Sequence, residues 1–569
     1  MRRCCKETHG DGDANYASLR SYRPAALLSL HLGKRRAGLP YADRGVARWG
    51  APMLFGLLAT VALAQSPEEA LRRMLASKAE MTAYLVKEAR RVTDRAAEEL
   101  ATREAWEKVR DQRRREMRDM LGLDPWPART PLNVRITGRT DKPEYTIEKI
   151  AFESLPKFYV SANLYIPKKR SGPLPAIVYV CGHSLSPHGA KAMYQRHGIT
   201  FAKNGYVSMI LDPIQIAETF ALHHGVLNQE MYDWYARGYT PAGVEAWNAI
   251  RAMDYLETRP EADPKRFGMT GRSGGAAMSW FTAAVDERVK VVAPVMGIST
   301  YAANVEANTQ RRHCDCMFAI NTYLHDMMHQ GALIAPRPLY MMHGKKDLLF
   351  PVPGYEEFER RIGALYASYG QADRFRNLVV DTGHADSDLL RGEAVKWFDR
   401  WLKDVPGRQP VLEYTDEPAA DLAVFGGSPP ADAQNFRVHE IFNAPSRTRG
   451  SNAELVATLR QKVLRAFPAE TAPLNVKTGA SVDGFQPLEF SSEEGITVHA
   501  LWRPGPGPSL LYVASDGEDR TAIRDTLRQA LSNKAIAVLV VYPRGVSEIP
   551  WDKTFWKDTL RNAMHVGRT

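Results

Sequence analysis

Residues 67–121 repeat apolar positions every three or four places among dense Arg and Glu, the spacing of helix that turns one face toward a neighbouring layer. The segment SPEEALRRMLASKAEM carries its own start signal. Ser66 can cap, Pro67 suits the first helical position, and Glu69 completes a capping box. From about residue 126 the period changes. YTIEKIAFES and VSANLYIP read as strands of an antiparallel start, whereas PAIVYVCGH and YVSMILDP are continuous apolar runs, as in buried parallel strands. PAGVEAWNAIRAMDYLETRP is helical, with Ala246, Ile250, Met253 and Leu256 on one side. RFGMT, VKVVAPVMG, RPLYMMHG and FRNLVVDTG follow, each short, apolar and separated from the next by helical or loop sequence. This alternation predicts an α/β domain with a mostly parallel sheet flanked by helices.

The pattern then starts again. TPLNVRITGRTDKPEYTIEKIAFES (130–154) is echoed by APLNVKTGASVDGFQPLEFSS (472–492). Pro131-Leu132-Asn133-Val134 corresponds to Pro473-Leu474-Asn475-Val476, an offset of 342 (473 minus 131). PSLLYVASDG stands where PAIVYVCGHS stood, and AIAVLVVYPRG where GYVSMILDPIQ stood. The sequence therefore divides into four parts: residues 1–64, a helical lead-in at 65–125, a complete α/β domain at 126–410, and an incomplete second copy at 411–569 that stops before any counterpart of GRSGG. Between the copies, GGSPPADAQNF reads as linker.

Composition narrows the function. The net charge of +10 invites a nucleic-acid reading, but residues 1–50 alone hold ten Lys/Arg against four Asp/Glu. Without residues 1–64 the chain has 65 basic and 61 acidic residues, a balance too even for a nucleic-acid footprint. Within 1–64, APMLFGLLATVALAQS has an apolar stretch ending in Ala62-Leu63-Ala64, the pattern of a secretory signal with its cleavage site. Some fifty polar, basic residues precede it, so the expected start lies near Val46, with Arg48 supplying the leader's charge and residues 46–64 forming the signal. Export to the periplasm or medium is the expectation, with no stable membrane span after signal removal. Of the five cysteines, Cys4 and Cys5 fall in the leader, and Cys181, Cys314 and Cys316 are too few for a disulfide framework.

The candidate chemistry centres on MTGRSGGAAMSW, residues 269–280. RFGMT is a short strand, GRSGG a tight turn and AAMSWFTAAVDER a helix, the context a nucleophile elbow requires. Such a turn presents the Ser273 hydroxyl, and the helix start offers the Gly274 N–H to a developing oxyanion. A serine needs a base and an orienting acid, expected in the order Ser, Asp, His at strand ends. Asp347 follows PLYMMHG and His384 follows NLVVDTG. Asp326 and Asp381 compete with Asp347, and His343 with His384. The second oxyanion donor is expected in Cys181-Gly182-His183-Ser184, at the His183 or Ser184 N–H. Trp280 and Tyr239 are candidates for a substrate cleft. RRHCDCMF (311–318) tempts a zinc reading, but its spacing fits no ordinary structural finger, and no second ligand cluster is evident to close a tetrahedron. His223-His224 reads as a loop pair, and neither metal nor organic cofactor is expected.

MLGLDPWPARTPLNV, VCGHS, HGITFAKNGYVSMILDPIQ, RGYTPAGVEAWNAIRAMDYLETRPEADPKRFGMTGRSGG, HCDCMF and IAPRPLYMMHGKKDLLFP together resemble the α/β-hydrolase superfamily. The resemblance is greatest to secreted bacterial proteins of acetyl xylan esterase-like type, relatives of dienelactone hydrolases, and covers roughly residues 105–405. It implies an α/β-hydrolase fold with Ser273 as nucleophile, Asp347 as acid and His384 as base, acting on a small-molecule or polysaccharide ester. The elbow departs from the acetyl xylan esterase pattern by placing Gly274 after the serine where Gln is usual. Two other readings share the sequence. One is a peptidase of prolyl-oligopeptidase type, although only a helical lead-in precedes the sheet. The other is a non-catalytic binding protein, which suits 411–569 better than 126–405.

Overall fold

The computed structural model describes residues 67–567 apart from 185, 215–217, 427–428, 443–449, 461–471, 516–517, 519, 533–534 and 546–550. The expected signal at 46–64 and the capping Ser66 lie outside the described residues. The lead-in forms two helices, α1 (Pro67–Glu99) and α2 (Arg103–Met120). The chain breaks between them because the Thr102 side chain accepts the Ala105 N–H and starts a new helix. Trp106, Met117 and Met120 of α2 are buried in the main core.

Nine strands form the first sheet: β1 (Arg135–Asp141), β2 (Tyr145–Leu155), β3 (Phe158–Pro167), β4 (Leu174–Val180), β5 (Val207–Leu211), β6 (Ala262–Arg272), β7 (Val289–Val295), β8 (Leu339–Gly344) and β9 (Phe375–Val380). Their spatial order is β1-β2-β3-β5-β4-β6-β7-β8-β9. The first pairings are antiparallel through β3·β5, and every pairing from β5·β4 to β8·β9 is parallel. β4 shows why its sequence is apolar throughout. Ala176, Val178 and Val180 pack in the cluster that holds helices Pro241–Leu256 and Gly274–Val285, whereas Ile177 and Tyr179 pack in the cluster of helices Gln195–Lys203 and Asp388–Leu402. Helices thus cover both faces, and every strand run expected from the sequence is present. The strand not foreseen is β1, an edge whose residues RITGRTD are mostly exposed and carry no apolar run.

The second copy is equally concrete. β10 (Lys477–Thr478), β11 (Gln486–Glu493), β12 (Ile496–Arg503), β13 (Ser509–Val513) and β14 (Ala537–Tyr542) are ordered β10-β11-β12-β14-β13, which repeats β1-β2-β3-β5-β4 strand for strand. The repeat extends to single residues. Asn133 and Asn475 both take left-handed backbone, φ 43° and 48°. Leu132 O accepts the Glu153 N–H as Leu474 O accepts that of Ser491. Asn is among the few residues that occupy this conformation readily, which accounts for the shared Pro-Leu-Asn-Val. One face of the second sheet packs on helix Arg520–Ala530 through Leu501, Val538 and Val540 against Ile523 and Leu527.

The boundary at 411 needs correction. Residues 411–442 lie along the first sheet and not with the second copy. Asn204 Nδ2 donates to Val411 O, the Val424 and Phe425 N–H groups donate to Glu218, and Asn435 exchanges two hydrogen bonds with the Tyr159 backbone. Helix Lys553–His565 also returns to the first domain, where Met564 joins the main core. Among the described residues no helix is long and apolar enough to cross a membrane.

Candidate active site

β6 delivers Ser273 to the carboxyl edge of the parallel strands, where open α/β sheets collect their ligands. Ser273 has φ 59° and ψ −122° and stands immediately before helix Gly274–Val285. Its N–H donates to Val295 O across the end of β7. This is the strained strand–turn–helix that the sequence predicts. Two glycines permit it. A Cβ on Gly275 would lie 2.0 Å from Val180 O, and one on Gly182 would lie 2.5 Å from Arg272 O and 3.3 Å from Ser273 Cβ. The loop after β4 therefore lies directly against the elbow, as an oxyanion loop must.

Asp347 and His384 come together as expected. His384 Nδ1 donates to Asp347 Oδ2 at 2.7 Å, and Asp347 Oδ1 accepts the Leu349 N–H at 2.8 Å. The Asp347 side chain is buried, whereas that of His384 is 23% exposed, so the imidazole's outer edge faces solvent. Arg272, beside Ser273, donates from Nη1 to His384 O at 3.1 Å and ties the histidine loop to the elbow. Sequence reasoning passed over Arg272 although it adjoins Ser273. The competing residues have other partners. Asp326 caps helix Met327–Ile334 and accepts from Thr93 and Tyr301, Asp381 pairs with Lys346 at the surface, and buried His343 stacks on Tyr355.

Two expected pocket residues are corrected. Trp280 is wholly buried, donating from Nε1 to Met327 O with its ring on Gly331 and Phe358. Tyr239 is buried between Trp234 and Phe442. Both aromatics serve the core and are closed to substrate.

The loop residues hold a surprise. The His183 imidazole turns toward His223, Nε2 to Nε2 at 2.5 Å, and lies 3.7 Å from Cys316 Sγ. Burial first, then His224 and His384, pushes His183 down to about 3. Cys314 and Cys316, read as too few with Cys181 for a disulfide framework, are joined by a single disulfide. Loops after β4 and β5 bring His183 and His223 beside these cysteines, with the donor atoms of all four residues within 4.8 Å of one another. Ser184 stays in the loop, where its Oγ accepts the Ser186 N–H.

Strand order, elbow and the Asp–His pair at the ends of β8 and β9 give the chain an α/β-hydrolase fold. A family model described as X-Pro dipeptidyl-peptidase (S15 family) matches residues 159–330. "Putative hydrolase YtaP" of Bacillus subtilis (strain 168) is 27% identical over 308 residues, 52% of this chain and 100% of that protein. "Thiohydrolase apmlB" of Arthrinium phaeospermum is 27% identical over 165 residues, 29% of this chain and 47% of that protein. Among solved structures, "Methylesterase BT1017" superposes with a TM-score of 0.49 at 21% identity, covering 65% of this chain and 81% of its own. "Glucuronoyl Esterase from Solibacter usitatus" does so with a TM-score of 0.41 at 16% identity, covering 50% and 91%.

Proposed function

We propose that the protein is a serine hydrolase that cleaves carboxylic esters through an acyl-enzyme. The observation that carries this reading is the Asp347–His384 hydrogen bond, on the same sheet edge as a serine held at positive φ between strand and helix. Ser273 Oγ attacks the ester carbonyl while His384 Nε2 takes its proton, and Asp347 holds the imidazole tautomer through Nδ1–H. The oxyanion accepts from the Gly274 N–H and from His183 or Ser184 in the loop against the elbow. The alcohol leaves with the proton from His384, and water releases the acid by the same path. Acetyl or uronoyl esters of polysaccharides are the proposed substrates, met outside the cytoplasm after export.

The test needs no knowledge of substrate. The full chain is treated with a fluorophosphonate and the adduct located by peptide mass, with Ser273→Ala alongside. The expected result is one adduct, on Ser273, absent from the variant. No adduct on a folded protein would turn the reading toward a binding protein. The X-Pro dipeptidyl-peptidase family model over 159–330 favours a peptidase as the second reading. Turnover of X-Pro anilides in preference to acetyl and uronoyl esters would select it.

A further inference from the structure

We infer that His183, His223, Cys314 and Cys316 form a four-donor site for a thiophilic divalent cation such as zinc when the two cysteines are reduced. The donor atoms, two imidazole nitrogens and two sulfurs, all lie within 4.8 Å of one another. A tetrahedral zinc ion with bonds of about 2.0 Å to nitrogen and about 2.3 Å to sulfur spaces its ligands roughly 3.3–3.8 Å apart. The Cys316 Sγ to His183 Nε2 distance of 3.7 Å already falls in that range. The His183 and His223 Nε2 atoms point at one another, and parting them by under an ångström admits an ion between them.

The surroundings are built for such a site. His223 Nδ1 lies 3.5 Å from Oε1 of the buried Glu245, and a carboxylate behind a histidine is the arrangement that orients metal ligands. Asp315, between the two cysteines, accepts the Val226 and Leu227 N–H groups and pairs with buried Arg561 at 3.0 Å, which fixes the Cys-x-Cys turn from both sides. All four donors come from the protein, so the ion has no open position. Its role is to hold loops and not to activate water. The loops it would hold are those around the elbow, since a Cβ on Gly274 would lie 3.2 Å from both Cys316 Sγ and His183 Cε1.

Loading begins from the Cys314–Cys316 disulfide. A dithiol reductant gives two hydrogens to the cysteine sulfurs and is itself oxidised to a cyclic disulfide. The cation then displaces both thiol protons to solvent, leaving a neutral centre of two thiolates, two neutral imidazoles and a 2+ ion.

Cobalt(II) is the probe. The full chain is prepared with Cys4→Ser, Cys5→Ser and Cys181→Ser, so that Cys314 and Cys316 are its only thiols. It is reduced with dithiothreitol, freed of reductant anaerobically and titrated with cobalt. The expected result is one equivalent bound, with intense visible bands of tetrahedral cobalt and a thiolate charge-transfer band, all removed by zinc. Oxidised protein should show none of these. Added His223→Asn or Cys316→Ser should abolish the spectrum, and Glu245→Gln should weaken cobalt binding by about tenfold to a hundredfold. The inference is overturned if the reduced protein gives no charge-transfer band, or if the band survives Cys316→Ser. The reduced-protein titration decides even where a further variant misfolds. Fluorophosphonate reactivity of Ser273 is scored separately, so an inert nucleophile would leave the cobalt result standing.

Discussion

Ile177 in β4 and Leu510 in β13 hold the same place in the two copies, yet Ile177 is fully buried and Leu510 is 38% exposed. Val178 and its counterpart Leu511 differ more, 0% against 63%. The strand sequences are alike, so the difference lies in their neighbours. β4 has β6 along its outer edge and helices on both faces, whereas β13 pairs only with β14 among the described residues. The parallel half, β6 to β9, is thus what turns a five-stranded motif into the domain that carries the candidate site. It covers the strand that leads into the Cys181–Ser184 loop, and it brings the elbow and the Asp347 and His384 turns with it.

If chemistry belongs to the first copy alone, Asp347→Asn should lower ester turnover by about ten-thousand-fold with the fold intact, and every fluorophosphonate adduct should map outside 411–569. Arg561→Ala tests whether the copies are separable, because it removes the partner of buried Asp315 in the first. A cost of about 3–5 kcal/mol in urea unfolding is expected, and a cost near zero would mean that the two halves fold independently. Ile177→Ala should cost about 2–5 kcal/mol and Leu510→Ala less than about 1, so equal losses would show that something covers β13 in solution. Asn133→Ala and Asn475→Ala should each cost about 1 kcal/mol and the glycine variants far less, measured by thermal melting.

The smallest effect is acid loss. Asp386 is half-buried, which opposes ionisation, but His197 and Arg272 beside it hold its carboxyl below the ordinary value of 3.8. A carboxylate depressed in the fold contributes stability above its unfolded pKa, and that stability is lost as pH falls below 3.8. Asp386→Asn should therefore lower the melting temperature above about pH 5 and flatten its fall toward about pH 2, so that the two curves converge in acid.

Much of this was readable from sequence because the parallel strands are covered on both faces, which forces runs such as PAIVYV and VVAPV. β1 escaped notice for the opposite reason: an edge strand exposed to water has no apolar signature. The order Ser273, Asp347, His384 follows from strand ends, so it too was legible, and so was the repeat. The histidine–cysteine cluster was not. Its donors sit at 183, 223, 314 and 316, and no local spacing links loops that only the folded sheet brings together. GGSPPADAQNF reads as linker, and 411–442 as part of the second copy, because the anchors of this segment are hydrogen bonds such as Asn435 to Tyr159 and not an apolar stripe. Trp280 and Tyr239 misled because an aromatic looks the same in sequence whether it faces a cleft or the core.

Arg561 has a consequence for synthesis. A chain emerging from the ribosome presents Ser273, Asp347 and His384 long before residue 561, and during that interval Asp315 must either stay in water or enter the core unpaired. The wall beside Ser273 is therefore finished last, and a chain halted between the two copies would carry a complete set of candidate catalytic residues on an unfinished scaffold.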